Sequence, residues 1–455
     1  MPSAFDDHNP PRPELLADCV HCGFCLPTCP TYQLWGEEMD SPRGRIHLMN
    51  LATEGQIAID DSFASHFDAC LGCMACVSSC PSGVQYDQLI EAVRPQINRA
   101  VPRSAADCLF RAWIFAIFPY PGRLRLAALG AWLYQRSGIR SLMHRSGLMD
   151  KLPARLRALE ALMPQVLLRN IASRQRGLST PVGEVRRRVA LVSGCIQQVF
   201  FAHVNQATAR VLIAEGCEIV VPKQGCCGAL SVHAGREEEG LARARKMIES
   251  FEGLDVDDIV VNVAGCGSTL KEYGGLLAGD PQYSVRAAEF SAKVRDISEL
   301  LANLEPQAPR HPIAVRIAYH DACHLAHGQQ IRQQPRDVLR TIPQLELLEV
   351  PESELCCGSA GIYNMVQPEA GEELGKRKSA NILGTRPDAV TTGNPGCLLQ
   401  IARYLDGVPL LHPIELIDAS IRGVNPLAPA DLQPKTLPLR TARNRRVSRR
   451  TRRFL

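Results

Sequence analysis

The sequence predicts a multidomain α+β protein: a helical, cysteine-bearing N-terminal unit followed by two tandem α/β repeats. Three observations predict it. Two cysteine runs of identical spacing lie within the first hundred residues. A set of short apolar runs, each closed by cysteine, recurs once at offsets of 128, 130 and 131 residues. Helical stretches separate those runs, and short strands alternating with helices imply parallel βαβ units. A length of 455 residues suits about three domains.

The runs are Cys19-Val-His-Cys22-Gly-Phe-Cys25-Leu-Pro-Thr-Cys29-Pro30 and Cys70-Leu-Gly-Cys73-Met-Ala-Cys76-Val-Ser-Ser-Cys80-Pro81. Each reads C-x2-C-x2-C-x3-C-P, the two-cluster ferredoxin spacing, in which three thiolates hold one [4Fe–4S] cube and the fourth reaches the other. Cys19, Cys22, Cys25 and Cys80 are therefore assigned to cube one, and Cys70, Cys73, Cys76 and Cys29 to cube two. Two intervening residues let the chain curl so that three sulfurs face one cube and backbone N–H groups face the anionic cluster. The proline after the fourth cysteine turns the chain away. Structural zinc is the alternative, because C-x2-C also serves zinc.

In chain order, residues 1–18 read as a polar arm, and the two-[4Fe–4S] ferredoxin-type domain is placed at 1–100. Ser41-Pro42-Arg43-Gly44-Arg45 opens a helix with Ser41 as N-cap and Pro42 at N1. Arg43 and Arg45 are read either as neutralising cluster charge or as solvated helix-start residues. Val84, Leu89, Ile90, Val93 and Ile97 mark a second helix, and His21 reads as an exposed loop residue. Residues 101–185 read as a helical connector and linker. Within it, Trp113, Phe115, Phe118, Leu124, Leu126, Leu129 and Trp132 alternate with Arg111, Arg123, Arg125 and Arg136. An amphipathic connector is the plainer reading; a face for a membrane or partner subunit is the other. Arg174 to Arg188 reads as linker.

The repeats are placed at 186–305 and 306–425. The first carries Cys195, Cys226, Cys227 and Cys266; the second carries Cys323, Cys356, Cys357 and Cys397. Every one follows an apolar β-rich run, and ligands gather outside the carboxyl ends of parallel strands, so each foursome is expected to converge. Four thiols suffice for a further iron–sulfur cluster or a zinc ion, with a reduced structural thiol group as the alternative. His320, Asp321 and His324 flank Cys323, either satisfying a strand end or completing a metal site. Cys108 and Cys217 fall outside every pattern and read as buried small hydrophobes.

The first eighteen residues lack an apolar core, and Ala112 to Gly122, the longest uncharged apolar stretch, is too short to span a bilayer. An intracellular protein with reduced thiols is expected. The tail at 426–455 reads as disordered and basic: Lys435 and eight arginines carry +9 with no acid from 435 onward, so subtracting it from the formal +4 leaves the body near −5. No G-x-G-x-x-G opens a helix after a strand, so neither flavin nor NAD is expected on this chain, and no catalytic residue is assigned.

Two ferredoxin runs followed by two CCG-type cysteine-rich repeats resemble the family of iron–sulfur subunits of glycolate oxidase, anaerobic glycerol-3-phosphate dehydrogenase and lactate-utilisation systems, with heterodisulfide reductase as a relative. The likeness covers about residues 15–425. Asp18-Cys19-Val-His-Cys22-Gly-Phe-Cys25, Leu26-Pro-Thr-Cys29-Pro-Thr-Tyr32, Asp40-Ser-Pro-Arg-Gly-Arg-Ile46 and Gly393-Asn-Pro-Gly-Cys397 look most like the glycolate oxidase iron–sulfur subunit. The fullest CCG motif ends in C-x-x-C; here Cys266 is spaced from Val263 and Thr269, and Cys397 from Asn394 and Gln400, so each copy offers four thiols instead of five. The resemblance implies an electron-transfer subunit of an oxidoreductase, cytoplasmic and peripheral on the inner face of the membrane. Its partners would be a flavin-containing dehydrogenase subunit that takes glycolate to glyoxylate and a quinone or other membrane acceptor. The same architecture serves lactate or glycerol 3-phosphate. A zinc- or nucleic-acid-binding scaffold using the arginine tail is the reading from another class; nucleic acid is not the expected partner.

Overall fold

The computed structural model describes residues 2–173, 177–181 and 183–428. Of the basic tail placed at 426–455, residues 429–455 fall outside them.

The N-terminal unit is helical. Ser41 accepts a hydrogen bond from the Gly44 N–H and caps the helix Pro42–Thr53, with Pro42 at its first position. Gly44 is required there: a Cβ would stand 2.0 Å from the Glu38 carbonyl oxygen. The helices Asp61–Asp68 and Tyr86–Ala100 close this unit's core, in which Met49, Phe67, Leu89, Ile90 and Val93 are buried. Five further helices, from Ala105–Ile117 to Leu168–Ala172, form the connector.

Two parallel sheets follow. The first contains β1 (Gly177–Ser179), β2 (Arg187–Val192), β3 (Cys217–Val221), β4 (Asp258–Val261) and β5 (Val294–Asp296), in the order β1-β3-β2-β4-β5. The second contains β6 (Arg316–Tyr319), β7 (Glu346–Glu349), β8 (Ala389–Thr391) and β9 (Leu410–Leu411), in the order β7-β6-β8-β9. Apart from β1, every pairing is parallel and the two orders match strand for strand. The sequence pattern missed β1, β5 and β9. β1 lies inside the stretch read as linker and adds an antiparallel edge to β3.

Both faces of each sheet are covered, which is why its central strands are apolar without alternation. Val189 and Leu191 of β2 face a cluster that continues through Ile317 and Tyr319 of β6, so one core joins the two repeats. Ala190 and Val192 face a separate cluster with Met247, Ile248 and Tyr273. Arg210 crosses between repeats to Asp418, 4% exposed, with contacts of 2.8 and 2.6 Å.

The N-terminal unit docks on both repeats. Arg94 donates to the His233 carbonyl at 2.7 Å and to the Cys70 carbonyl at 2.6 Å. Ser78 Oγ lies 2.6 Å from His327 Nδ1, and Arg332 donates to Ser78 at 3.0 Å.

Candidate iron–sulfur and thiol centres

The two runs fold into adjacent loops that enclose two hollows. Cys19, Cys22, Cys25, Cys76 and Cys80 line one. Cys29, Cys70, Cys73 and Cys76 line the other. Each hollow thus receives three sulfurs from one run and the last sulfur of the other, with Cys76 between them. Positive φ at His21, Gly23, Gly72 and Met74 supplies the curl, and such alternation turns successive N–H groups toward an anion. The Gly72 N–H donates to Cys70 Sγ at 3.4 Å, and the Tyr86 hydroxyl donates to it at 3.7 Å.

The two arginines of the helix start part company. Arg43 is partly exposed, pairs with Glu38 at 2.7 Å and donates to the His21 carbonyl. Arg45 is 1% exposed and does not fit the solvated reading. It donates to the His66 carbonyl at 2.6 Å and to Thr31 Oγ1 at 3.2 Å, and Thr31 Oγ1 lies 3.2 Å from Cys29 Sγ. Burial opposes ionisation of Cys70, but the Arg45 and Arg94 charges win and hold its thiol below the usual range. Burial, with neighbouring thiols adding, pushes Cys25 up to about 11 and Cys73 and Cys76 up as well. Crowded buried thiolates repel one another, and a bound cationic metal removes that cost. The donor set fits an iron–sulfur group.

In each repeat the four cysteines sit at the carboxyl ends of three strands. Cys195 follows β2, Cys226 and Cys227 follow β3, and Cys266 lies in the first turn of the helix Ala264–Leu276 after β4. Cys323, Cys356, Cys357 and Cys397 follow β6, β7 and β8 in the same way, Cys397 in the first turn of Pro395–Ala402. Neighbouring thiols act on one another's ionisation in matching order, 195–226–227–266 and 323–356–357–397. Hydrogen bonding to Cys226, then burial, raises the Cys195 thiol; Cys226, bonded by Cys195 and Cys227, is lowered. The glycine after each cysteine pair has a positive φ, +86 at Gly228 and +85 at Gly358. A Cβ there would press a neighbouring backbone, 3.1 Å from the Gly240 oxygen or 2.8 Å from that of Gly371.

The centres are not isolated. Cys73, Cys323 and Cys356 share one buried cluster with Leu71, Leu355 and Tyr363, so the second hollow abuts the second repeat. The connector packs on the first repeat, where Leu124, Ala128 and Val166 meet Val199, four residues after Cys195.

Sequence reading missed a cluster of acids between the units. Glu91 and Asp87 of Tyr86–Ala100 approach Glu272 of Ala264–Leu276. Burial first, then the neighbouring carboxylate, raises Glu91 to about 7 and Glu272 to about 8. No motif marks these residues; only docking brings them together. Cys217 is buried as expected, but Cys108 is exposed because its helix turns that face outward.

The connector presents an uncovered apolar face. Leu109, Leu126, Leu133 and Leu142 are 73%, 72%, 55% and 67% exposed. Among the described residues no helix is long and apolar enough to cross a membrane.

Comparison with known proteins agrees with this division. A family profile for a 4Fe-4S dicluster domain matches residues 15–84. One for the linker region of the glycolate oxidase iron-sulfur subunit matches 106–163. One for a cysteine-rich domain matches twice, at 189–271 and 317–402. The chain is 41% identical over 394 residues to the probable glycolate oxidase iron-sulfur subunit of Bacillus subtilis, covering 85% of this chain and 88% of that protein. It is 33% identical to the glycolate oxidase iron-sulfur subunit of Escherichia coli, covering 90% and 94%. Lactate utilization protein A of Oceanobacillus iheyensis is 28% identical over 52% of this chain and 98% of its own length.

Proposed function

Given that the chain belongs to the glycolate oxidase iron–sulfur subunit family, we propose that it relays electrons from a flavin-containing partner that oxidises glycolate to glyoxylate toward a quinone. The residues fit two [4Fe–4S] cubes, one held by Cys19, Cys22, Cys25 and Cys80, the other by Cys70, Cys73, Cys76 and Cys29. When bound, such clusters supply one-electron redox chemistry. The protein holds and insulates them. Arg45 and Arg94 offset anionic charge beside Cys70, Tyr86 and the Gly72 N–H donate to its sulfur, and the second repeat excludes water from Cys73. Cys195, Cys226, Cys227 and Cys266, and Cys323, Cys356, Cys357 and Cys397, fit further metal centres. The carrying observation is the packing of Cys73 against Cys323 and Cys356, which supports a third site next in line.

The connector supports docking on an anionic membrane surface. Between Leu109 and Met149 it carries Arg111, Arg123, Arg125, Arg136, Arg140 and Arg145 and no acid, beside its exposed leucines. Co-sedimentation with anionic but not neutral vesicles, lost in L126E/L133E, is the expected result.

The complex with its flavin subunit tests the relay: adding glycolate anaerobically should bleach the clusters of this chain. Lactate run in parallel identifies the acid. Stoichiometric flavin on this chain alone, or iron-free protein from anaerobic purification, overturns the assignment.

A further inference from the structure

The second repeat carries one donor that the first lacks. His320 follows β6 directly and is 1% exposed. Its backbone N–H is fixed to the Thr391 carbonyl at 2.9 Å. Neither ring nitrogen has a hydrogen-bond partner among the described residues. A ring nitrogen and the sulfurs of Cys357 and Cys397 all lie within 4.8 Å of one another. A buried imidazole with two unsatisfied nitrogens is costly to the fold, and an orphaned polar group in a native core calls for a specific occupant such as an ion.

Alignment of the repeats on Cys195 and Cys323 puts Val192 where His320 stands. Val192 is packed in an apolar cluster with Ile259 and Val261. The first repeat therefore offers four thiols, and the second offers four thiols and an imidazole. The second is also more enclosed: Cys397 is 2% exposed, whereas Cys266 is half-buried. Lys378, 0% exposed and hydrogen-bonded to the Glu352 carbonyl, adds a fixed cation near Cys356 and Cys357, as an anionic thiolate assembly requires.

We propose that His320 is a metal ligand, and that the second repeat holds a thiophilic metal in a mixed imidazole–thiolate centre with Cys357 and Cys397, which Cys323 and Cys356 complete. The inference rests on the reading that this repeat is occupied. The neutral nitrogen takes the place of the fifth sulfur that each copy lacks. An imidazole in place of a thiolate raises the potential of an iron–sulfur centre, so iron here forms a better electron acceptor than an all-thiolate site. Zinc would make the same residues a structural closure beside Cys73.

The test uses the full chain purified without oxygen, as wild type, C357A, H320L and H320C, with iron, zinc and sulfide counted per chain. C357A and H320L should lose the same metal and keep that of the N-terminal runs. H320C should regain it. Histidine labelled with 15N should change the nitrogen hyperfine coupling of an iron centre; for zinc, X-ray absorption should lose its nitrogen shell in H320C. Metal loss in C357A with full retention in folded H320L, or an unchanged nitrogen signature in metal-loaded H320C, overturns His320 as a ligand. No loss in C357A overturns the occupancy on which the proposal stands.

Discussion

Arg45 offers a quantitative handle on the proposed relay. Its Nη2 is 3.2 Å from Thr31 Oγ1, which is 3.2 Å from Cys29 Sγ. Two such steps, and roughly 2 Å more to the middle of a cube, place the charge within about 8.4 Å of the added electron; at an effective dielectric of about 20 this stabilises the reduced form by at least about 2 kcal/mol, roughly 85 mV. Removing a positive charge disfavours the more negative state, so R45M should lower the midpoint of the centre lined by Cys29 and Cys70. The other centre, which Arg43 borders, should hardly move. R45K should recover most of the shift. Asp40, 3.4 Å from Arg45, keeps His66 at 2.9 Å as a partner in the variant. The assay is an anaerobic redox titration followed by electron paramagnetic resonance, with iron counted to confirm full loading. A loaded R45M whose midpoint is unshifted, or raised, refutes the reasoning.

Three other outcomes are expected. C29A and C80A should each lose one cube's signal, and the survivor in C80A alone should respond to R45M, because the crossed ligands assign each sulfur to the opposite hollow. G44A should cost about 1–3 kcal/mol in chemical denaturation, since the new Cβ meets the Glu38 backbone, which cannot yield as a side chain tip would. The carboxyls of Glu91 and Glu272 have folded pKa values raised to about 7 and about 8, above those of the unfolded chain. Their stabilising contribution is therefore complete below about pH 4 and lost as pH rises through 7 to 8. E272Q should flatten that decline in thermal melts between about pH 4 and 8, whereas an unchanged pH profile would rule the pair out as its source.

Much of the architecture was legible because ligand spacing and strand-end placement are local signals. Cysteines three and four residues apart reveal a ligating loop, and an apolar run ending in cysteine reveals a parallel strand. What escaped depends on distant partners. Arg43 and Arg45 are indistinguishable in sequence, and only the packing of Pro42–Thr53 buries one and leaves the other at the surface. β1 pairs with a strand some forty residues on, so its three residues carry no pattern of their own. Glu91 and Glu272 are ordinary helix acids until two domains meet. His320 was visible beside Cys323, but its stranded nitrogens, the feature that distinguishes it from a satisfied strand end, exist only in three dimensions.

The seam where Cys73 meets Cys323 constrains how the molecule is made. Cys70 and Cys73 are 8% and 7% exposed, and Leu71, Leu355 and Tyr363 pack in one cluster with Cys73. For a cluster held by Cys70 and Cys73, the closure that keeps water from these sulfurs would also stand in the way of loading after the units have docked. A chain that folded empty would then have to part its docked units to take up such a group.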